Sequence, residues 1–130
     1  MKESKGLRFT VIGARILLGL VFFVFGFGYF FMKMPPMDTT TAMGKFTSGL
    51  LASGYFFPFL KTVEGSMGLL LILNFWTPVA LLVLAPIIIQ ILLFHSFLEP
   101  SGLPVALPIL VLETFLAWAN WDKYKGLFKS

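Results

Sequence analysis

Between Glu64 and His95 the chain runs for 30 residues without one ionisable side chain. About 20 apolar residues suffice to cross the roughly 30 Å hydrocarbon layer of a bilayer, so this interval holds more chain than one crossing needs. Its centre, Asn74-Phe-Trp-Thr-Pro78, supplies a break: Asn74 as a helix end, Trp76 as an interface anchor, and Pro78 in the first turn of the next helix. The interval therefore divides into helices over residues 55 to 74 and 78 to 97, with Pro86 expected to bend the second or loosen its hydrogen-bond ladder. Two more apolar stretches, residues 9 to 32 and 103 to 121, complete a set of four crossings. The turn Glu99-Pro-Ser-Gly-Leu-Pro104 precedes the last of them.

Composition agrees with lipid as the solvent. The 130 residues are 58% hydrophobic and 12% charged, against roughly 25% charged in a soluble domain. The expected fold is all-α: a single polytopic domain, a four-helix bundle with a longer loop between the first and second spans. In that loop Asp38 or Thr39 is placed to cap a short interfacial helix running toward Ser48 or Ala52. A cleaved signal peptide is the rival reading of the first stretch, disfavoured because no small-x-small site follows it.

The formal charge of +4 does not point to nucleic acid, because the basic residues sit mainly at the chain ends and in one loop. Lys2, Lys5 and Arg8 at one end and Lys123, Lys125 and Lys129 at the other place both tails on the cytoplasmic side of an inner membrane after four crossings. The chain has no cysteine, which removes thiol chemistry and Cys-ligated zinc or iron from its own repertoire. No metal site is expected. The methionines Met32, Met34, Met37 and Met43 are too interrupted to be taken as a Cu(I) site.

Ionisable residues inside spans carry the functional information, since each costs about 2.5 to 3.5 kcal/mol at mid-helix on insertion scales and normally faces the bundle interior. Arg15, Lys61, Glu64, His95 and Glu113 form that set, with Gln90 as a neutral donor. Arg15, Gly19, Phe22, Gly26, Tyr29 and Lys33 recur at intervals of four and three along one face of the first span; Lys61, Glu64, Gly68, Leu71 and Phe75 repeat the pattern in the second. Gly19, Gly26 and Gly68 would let the two backbones close. Arg15 either snorkels to headgroups or joins Glu64 or Glu113 inside. Glu64 has Lys61 as a local partner at i−3, and His95 has Glu99 at i+4. Glu113 shares a face with Ala106, Ala117, Asn120 and Tyr124, the pattern of a packed interhelical seam. Phe22, Tyr29 and Phe75, together with Glu64 and His95, make a mixture suited to a planar headgroup.

The segments ARILLGLVFFVFGFGYFF, with Arg15, Gly19 and Gly26, and FLKTVEGSMGLLLILNFWTPVALLVLAP, with Glu64, Gly68, Thr77, Pro78 and Ala80, resemble the opening helices of the DoxX family of small bacterial membrane proteins. IQILLFHSFLEPSG resembles the end of the third helix in a DoxX-like branch, and the likeness extends from Arg15 to Trp121. The resemblance implies a four-helix membrane fold, shared with a eukaryotic relative that assists receptor assembly. It also implies association with thiosulfate:quinone oxidoreductases or with complexes linking thiol oxidation to oxidative-stress defence. Without cysteines only a quinone-side or scaffold role transfers. The resulting expectations are an accessory, scaffold or assembly subunit with a membrane or peripheral redox partner or a second copy of itself; a quinone-binding redox subunit; or, third, a small-molecule transporter. A cavity reaching the polar residues from the lipid favours the second, a solid bundle the first.

Overall fold

Asn74 and Trp76 both adopt the left-handed backbone conformation, each with φ of 54°, and the reversal they produce is what divides the charge-free interval into two helices. Phe75 N–H donates to the Leu70 carbonyl at 2.9 Å and Asn74 N–H to Leu71 at 3.3 Å, the paired closure of a Schellman-type helix end. The Thr77 hydroxyl then donates to Asn74 Oδ1 at 2.8 Å, tying the end of one helix to the start of the next. The computed structural model describes residues 5–32 and 38–125. Its helices are α1 (Lys5–Gly28), α2 (Ala42–Ala52), α3 (Phe56–Leu73), α4 (Thr77–Phe97), α5 (Leu103–Ala119) and the short α6 (Trp121–Tyr124), with 3-10 turns at Tyr29–Phe31 and Pro100–Gly102.

Four segments are long and apolar enough to cross a membrane: Lys5–Phe31, Phe56–Leu73, Thr77–Phe97 and Pro100–Ala119. The shortest has 18 residues, about 27 Å at 1.5 Å per residue, close to the hydrocarbon thickness. The first helix is already formed at Lys5, the first described residue, ahead of the apolar stretch that begins at residue 9. The chain is thus a multi-pass helical membrane protein with one long connection, between its first two spans. One end of the bundle carries this connection and the α4–α5 turn, here called the loop end; the start of α1, the α3–α4 turn and α6 lie at the opposite, tail end.

The short helix in the connection is capped by Thr41, not by Asp38 or Thr39: Gly44 N–H donates to Thr41 Oγ1 at 3.0 Å. Asp38 instead accepts from the Thr40 hydroxyl at 2.5 Å and amide at 2.9 Å. Those two bonds, the hydroxyl first, hold its carboxyl below the usual range.

Burial runs in one stripe per helix. Leu18, Leu71, Leu81, Leu84, Ile88 and Leu116 are enclosed completely, while Phe9, Phe31, Phe59, Leu73, Phe97 and Val111 point outward. Outward apolar side chains meet lipid, so hydrophobic burial gives these helices little reason to associate and close backbone packing must do so. Between α1 and α3 it does. A Cβ added at Gly26 would stand 2.3 Å from Gly65 N, and one at Gly68 would stand 2.5 Å from Phe23 N. Gly19 meets the Gly68 carbonyl and Ile72 in the same way. Gly65, three residues before Gly68 on the same face, belongs to this seam although only Gly68 was singled out from the sequence of α3.

Candidate functional site

Toward the loop end the bundle opens into a cavity of about 780 Å³. Its walls come from α1 (Phe22), the 3-10 turn that follows it (Tyr29), α2 (Phe46, Thr47, Leu50), α3 (Phe57, Lys61, Glu64), α4 (Gln90, Phe94, His95) and α5 (Val105, Ile109). The space has a physical origin: α1 and α3 are drawn together by glycines, and α4 carries Pro86 on the cavity wall. Proline has no N–H to give the Leu82 carbonyl and its ring crowds the preceding turn. The α2 wall contributes Phe46, Thr47 and Leu50, residues that the sequence reading did not single out. Its signal was the apolar pair Phe46 and Leu50 at helical spacing beside Thr47.

Lys61, Glu64, Gln90 and His95 line this apolar space, with the hydroxyl-bearing Tyr29 and Thr47. Lys61 Nζ donates to Glu64 Oε2 at 3.2 Å, with the Glu64 side chain 5% exposed and that of Lys61 23% exposed. Lys61 and Glu64 both line the cavity. His95 Nδ1 lies 3.1 Å from the backbone carbonyl oxygen of Glu99, so its partner is the main chain and not the Glu99 carboxylate. A carbonyl only accepts; Nδ1 therefore carries the proton and Nε2 of the neutral ring is left as an acceptor. Gly102 packs against that ring so closely that a Cβ would stand 2.1 Å from Nδ1. Gly102 was read only as part of a turn, and no sequence signal distinguished it. Gln90 is exposed and lines the cavity.

Aromatic rings surround these groups. Tyr29 stacks on Phe57 with centroids 6.0 Å apart, and Phe46 meets Phe94 at 5.9 Å. Phe75, assigned from periodicity to the same aromatic set, lies instead at the tail end, stacked on Trp76 at 5.2 Å. The helix has ended two residues earlier, so helical spacing no longer governs its direction.

Arg15 takes neither of its expected courses. Its guanidinium donates to the Leu71 carbonyl and, at 3.2 Å, to the Ile72 carbonyl. These lie in the last turn of α3, where carbonyls lack intrahelical donors and the helix dipole is negative, so a cation there is favoured twice. Among the described residues no hydrogen bond joins Glu113 Oε1 to the Lys61–Glu64 pair. Glu113 is buried in α5 with Oε1 lacking a hydrogen-bond partner among the described residues. Lys33, Met34 and Met37, and Lys129 of the basic tail, lie outside the described residues. Among the described residues, no three His, Cys, Asp or Glu side chains gather as a group able to hold a metal ion.

Four apolar spans around a cavity with polar groups on its wall define a polytopic helical membrane protein with a pocket between its helices. The family model of DoxX matches residues 10–96, more than half of the chain, and the chain belongs to the DoxX family. The matched stretch reaches from α1 to the end of α4 and stops short of α5, where the resemblance had been extended to Trp121. Comparison with curated proteins and with solved structures gave no match.

Proposed function

We propose that this protein is an accessory subunit of a bacterial inner-membrane complex that binds an amphipathic molecule with a planar polar headgroup, of the quinone class, in the loop-end cavity. The observation that carries this reading is the 780 Å³ space bordered by Lys61, Glu64, Gln90 and His95, a volume in the range of ordinary small-molecule sites. The Lys61 ammonium and the Gln90 amide can donate to headgroup carbonyls, and Glu64 and His95 Nε2 can accept from headgroup hydroxyls. The rings of Tyr29, Phe57 and Phe94 give the headgroup flat apolar walls, and an apolar tail can leave toward lipid. The basic termini support an arrangement with both tails cytoplasmic, which puts the cavity in the outer half of the membrane.

A second reading, an assembly subunit without ligand, draws support from the closed α1–α3 seam and from Arg15 fastened to the end of α3. One experiment separates the two. Protein purified in native lipid is extracted and the co-purifying lipids and quinones are identified by mass spectrometry, for the wild type, Glu64→Gln and His95→Ala. The ligand reading expects a stoichiometric amphipathic molecule whose retention falls in both variants. Absence of any such molecule, with no binding of added quinone, leaves the assembly reading. Retention unaffected by either substitution removes these residues as its polar contacts.

A further inference from the structure

A second, smaller cavity of about 180 Å³ lies on the other side of the bundle, bounded by Leu81, Leu82 and Ala85 of α4, Glu113 and Ala117 of α5, and Trp121 and Tyr124 of α6. Glu113 is 7% exposed, and its Oε1 is buried with no hydrogen-bond partner among the described residues. The Tyr124 hydroxyl on the same wall is committed elsewhere: it donates to the Pro78 carbonyl at 2.6 Å. An acceptor in this state is costly, and a buried acid normally finds a cation or a donor. The space is several times the roughly 30 Å³ of a single water, while the Leu and Ala walls offer further waters nothing to bond. One buried acid in the wall of an otherwise apolar hollow matches a molecule with one strong donor and an apolar body.

We propose that this cleft is a binding site for a small lipophilic ammonium, a protonated amine on an aliphatic or ring body, with Glu113 as its counter-ion. Among the described residues Glu113 is the only acid on the wall and no basic residue lines it, so a cation gains an ion pair in a medium of low dielectric. Trp121, half exposed at the rim with Leu82, adds an aromatic surface of the kind that attracts cations. The cleft is separate from the loop-end cavity, and the proposal does not depend on the function assigned there.

The two buried acids provide an internal control. In phosphatidylcholine nanodiscs, the wild-type protein is treated with dicyclohexylcarbodiimide, which modifies carboxyl groups in apolar surroundings, and modification of Glu113 and Glu64 is read separately by peptide mass spectrometry as loss of the unmodified peptide, so that an N-acylurea and an amide formed by capture of the activated carboxyl by an amine both count as reaction. Hexylamine is expected to protect Glu113 roughly tenfold at about ten times its Kd and to leave Glu64 unchanged. Hexanol, with the same body and no charge, is expected not to protect. Discs containing phosphatidylethanolamine test a headgroup as the source of the ammonium: protection there without added amine assigns the site to lipid, and no protection there assigns it to free amines. Equal protection by hexanol, or none by any ammonium, overturns the proposal. Equilibrium binding of hexylamine, lost in Glu113→Gln while the helical circular dichroism is retained, provides the second measurement; binding retained in that variant also overturns it.

Discussion

The α1–α3 pair and the α4–α5 pair are built on opposite principles. In the first, Gly19, Gly26, Gly65 and Gly68 bring backbones into contact, and the polar groups they carry are satisfied: Arg15 on the carbonyls ending α3, Glu64 on Lys61. In the second, the facing residues are Leu81, Leu84, Ile88, Ile109 and Leu116, each helix has an interior proline, and the buried acid has a partnerless oxygen. The contrast teaches where this fold spends its stability. Closed glycine packing holds the bundle together, and the branched, proline-bearing pair leaves the spaces in which ligands can sit.

Breaking the closed pair should have the largest effect. In Gly26→Leu the new Cβ alone would stand 2.3 Å from Gly65 N and 2.7 Å from Gly65 Cα, and backbone cannot yield as a side-chain tip can. The expected cost is about 3 kcal/mol or more, seen as loss of monodisperse protein in size-exclusion chromatography. Gly49→Leu, where a Cβ meets nothing within 4 Å, is the matched control and should behave as wild type. A well-behaved Gly26→Leu protein of unchanged thermal stability would show that the seam is not what holds the bundle.

A sharper version of the comparison uses the two acids with opposite expected signs. Lys61→Met strands Glu64 and should lower stability by about 1 to 3 kcal/mol. Glu113→Leu removes an acid already stranded and should raise stability by about 1 to 2 kcal/mol. Thermal unfolding in one detergent, scored for both variants, decides it; two changes of the same sign would abolish the distinction between the pairs.

Smallest is the effect at the α4–α6 junction. Burial, followed by the neighbouring charge of Glu113, pushes the Tyr124 phenol from 10.0 up to about 12. The fold favours the protonated phenol, so its contribution is complete below pH 10 and drains away as pH rises toward about 12. Ultraviolet titration of the wild type against Tyr124→Phe should show that tyrosine ionising last, and the variant should lose about 1 kcal/mol with its bond to Pro78. Ionisation of Tyr124 near 10 would contradict the packing of α6 on α4.

The spans were open to inspection in the amino-acid order because lipid excludes charge, and the 30 uncharged residues before His95 record that exclusion directly. The turn at Asn74 and Pro78 was marked by residue types that end and begin helices. What Arg15 does could not be read in the same way. Its acceptors are main-chain carbonyls, which every residue possesses, so no side-chain spacing advertises them. The loop-end cavity is likewise a volume that residues fail to fill, and Phe22 or Phe94 would look the same in a solid core. Glu113 shared a face with alanines, which describes a seam as well as a cleft; only the commitment of Tyr124 to Pro78 separates the two.

The grip of Arg15 on the end of α3 also bears on how the protein enters the membrane. Its two acceptors lie 56 and 57 residues further along the chain. At synthesis rates of about 5 to 20 residues per second, those carbonyls emerge on the order of 3 to 11 s after the arginine does. Through that delay the guanidinium has only water and headgroups to bond, which anchors the start of α1 at the surface while the rest of the span enters. The first helix therefore gains this fastening only after the end of the second span has been made.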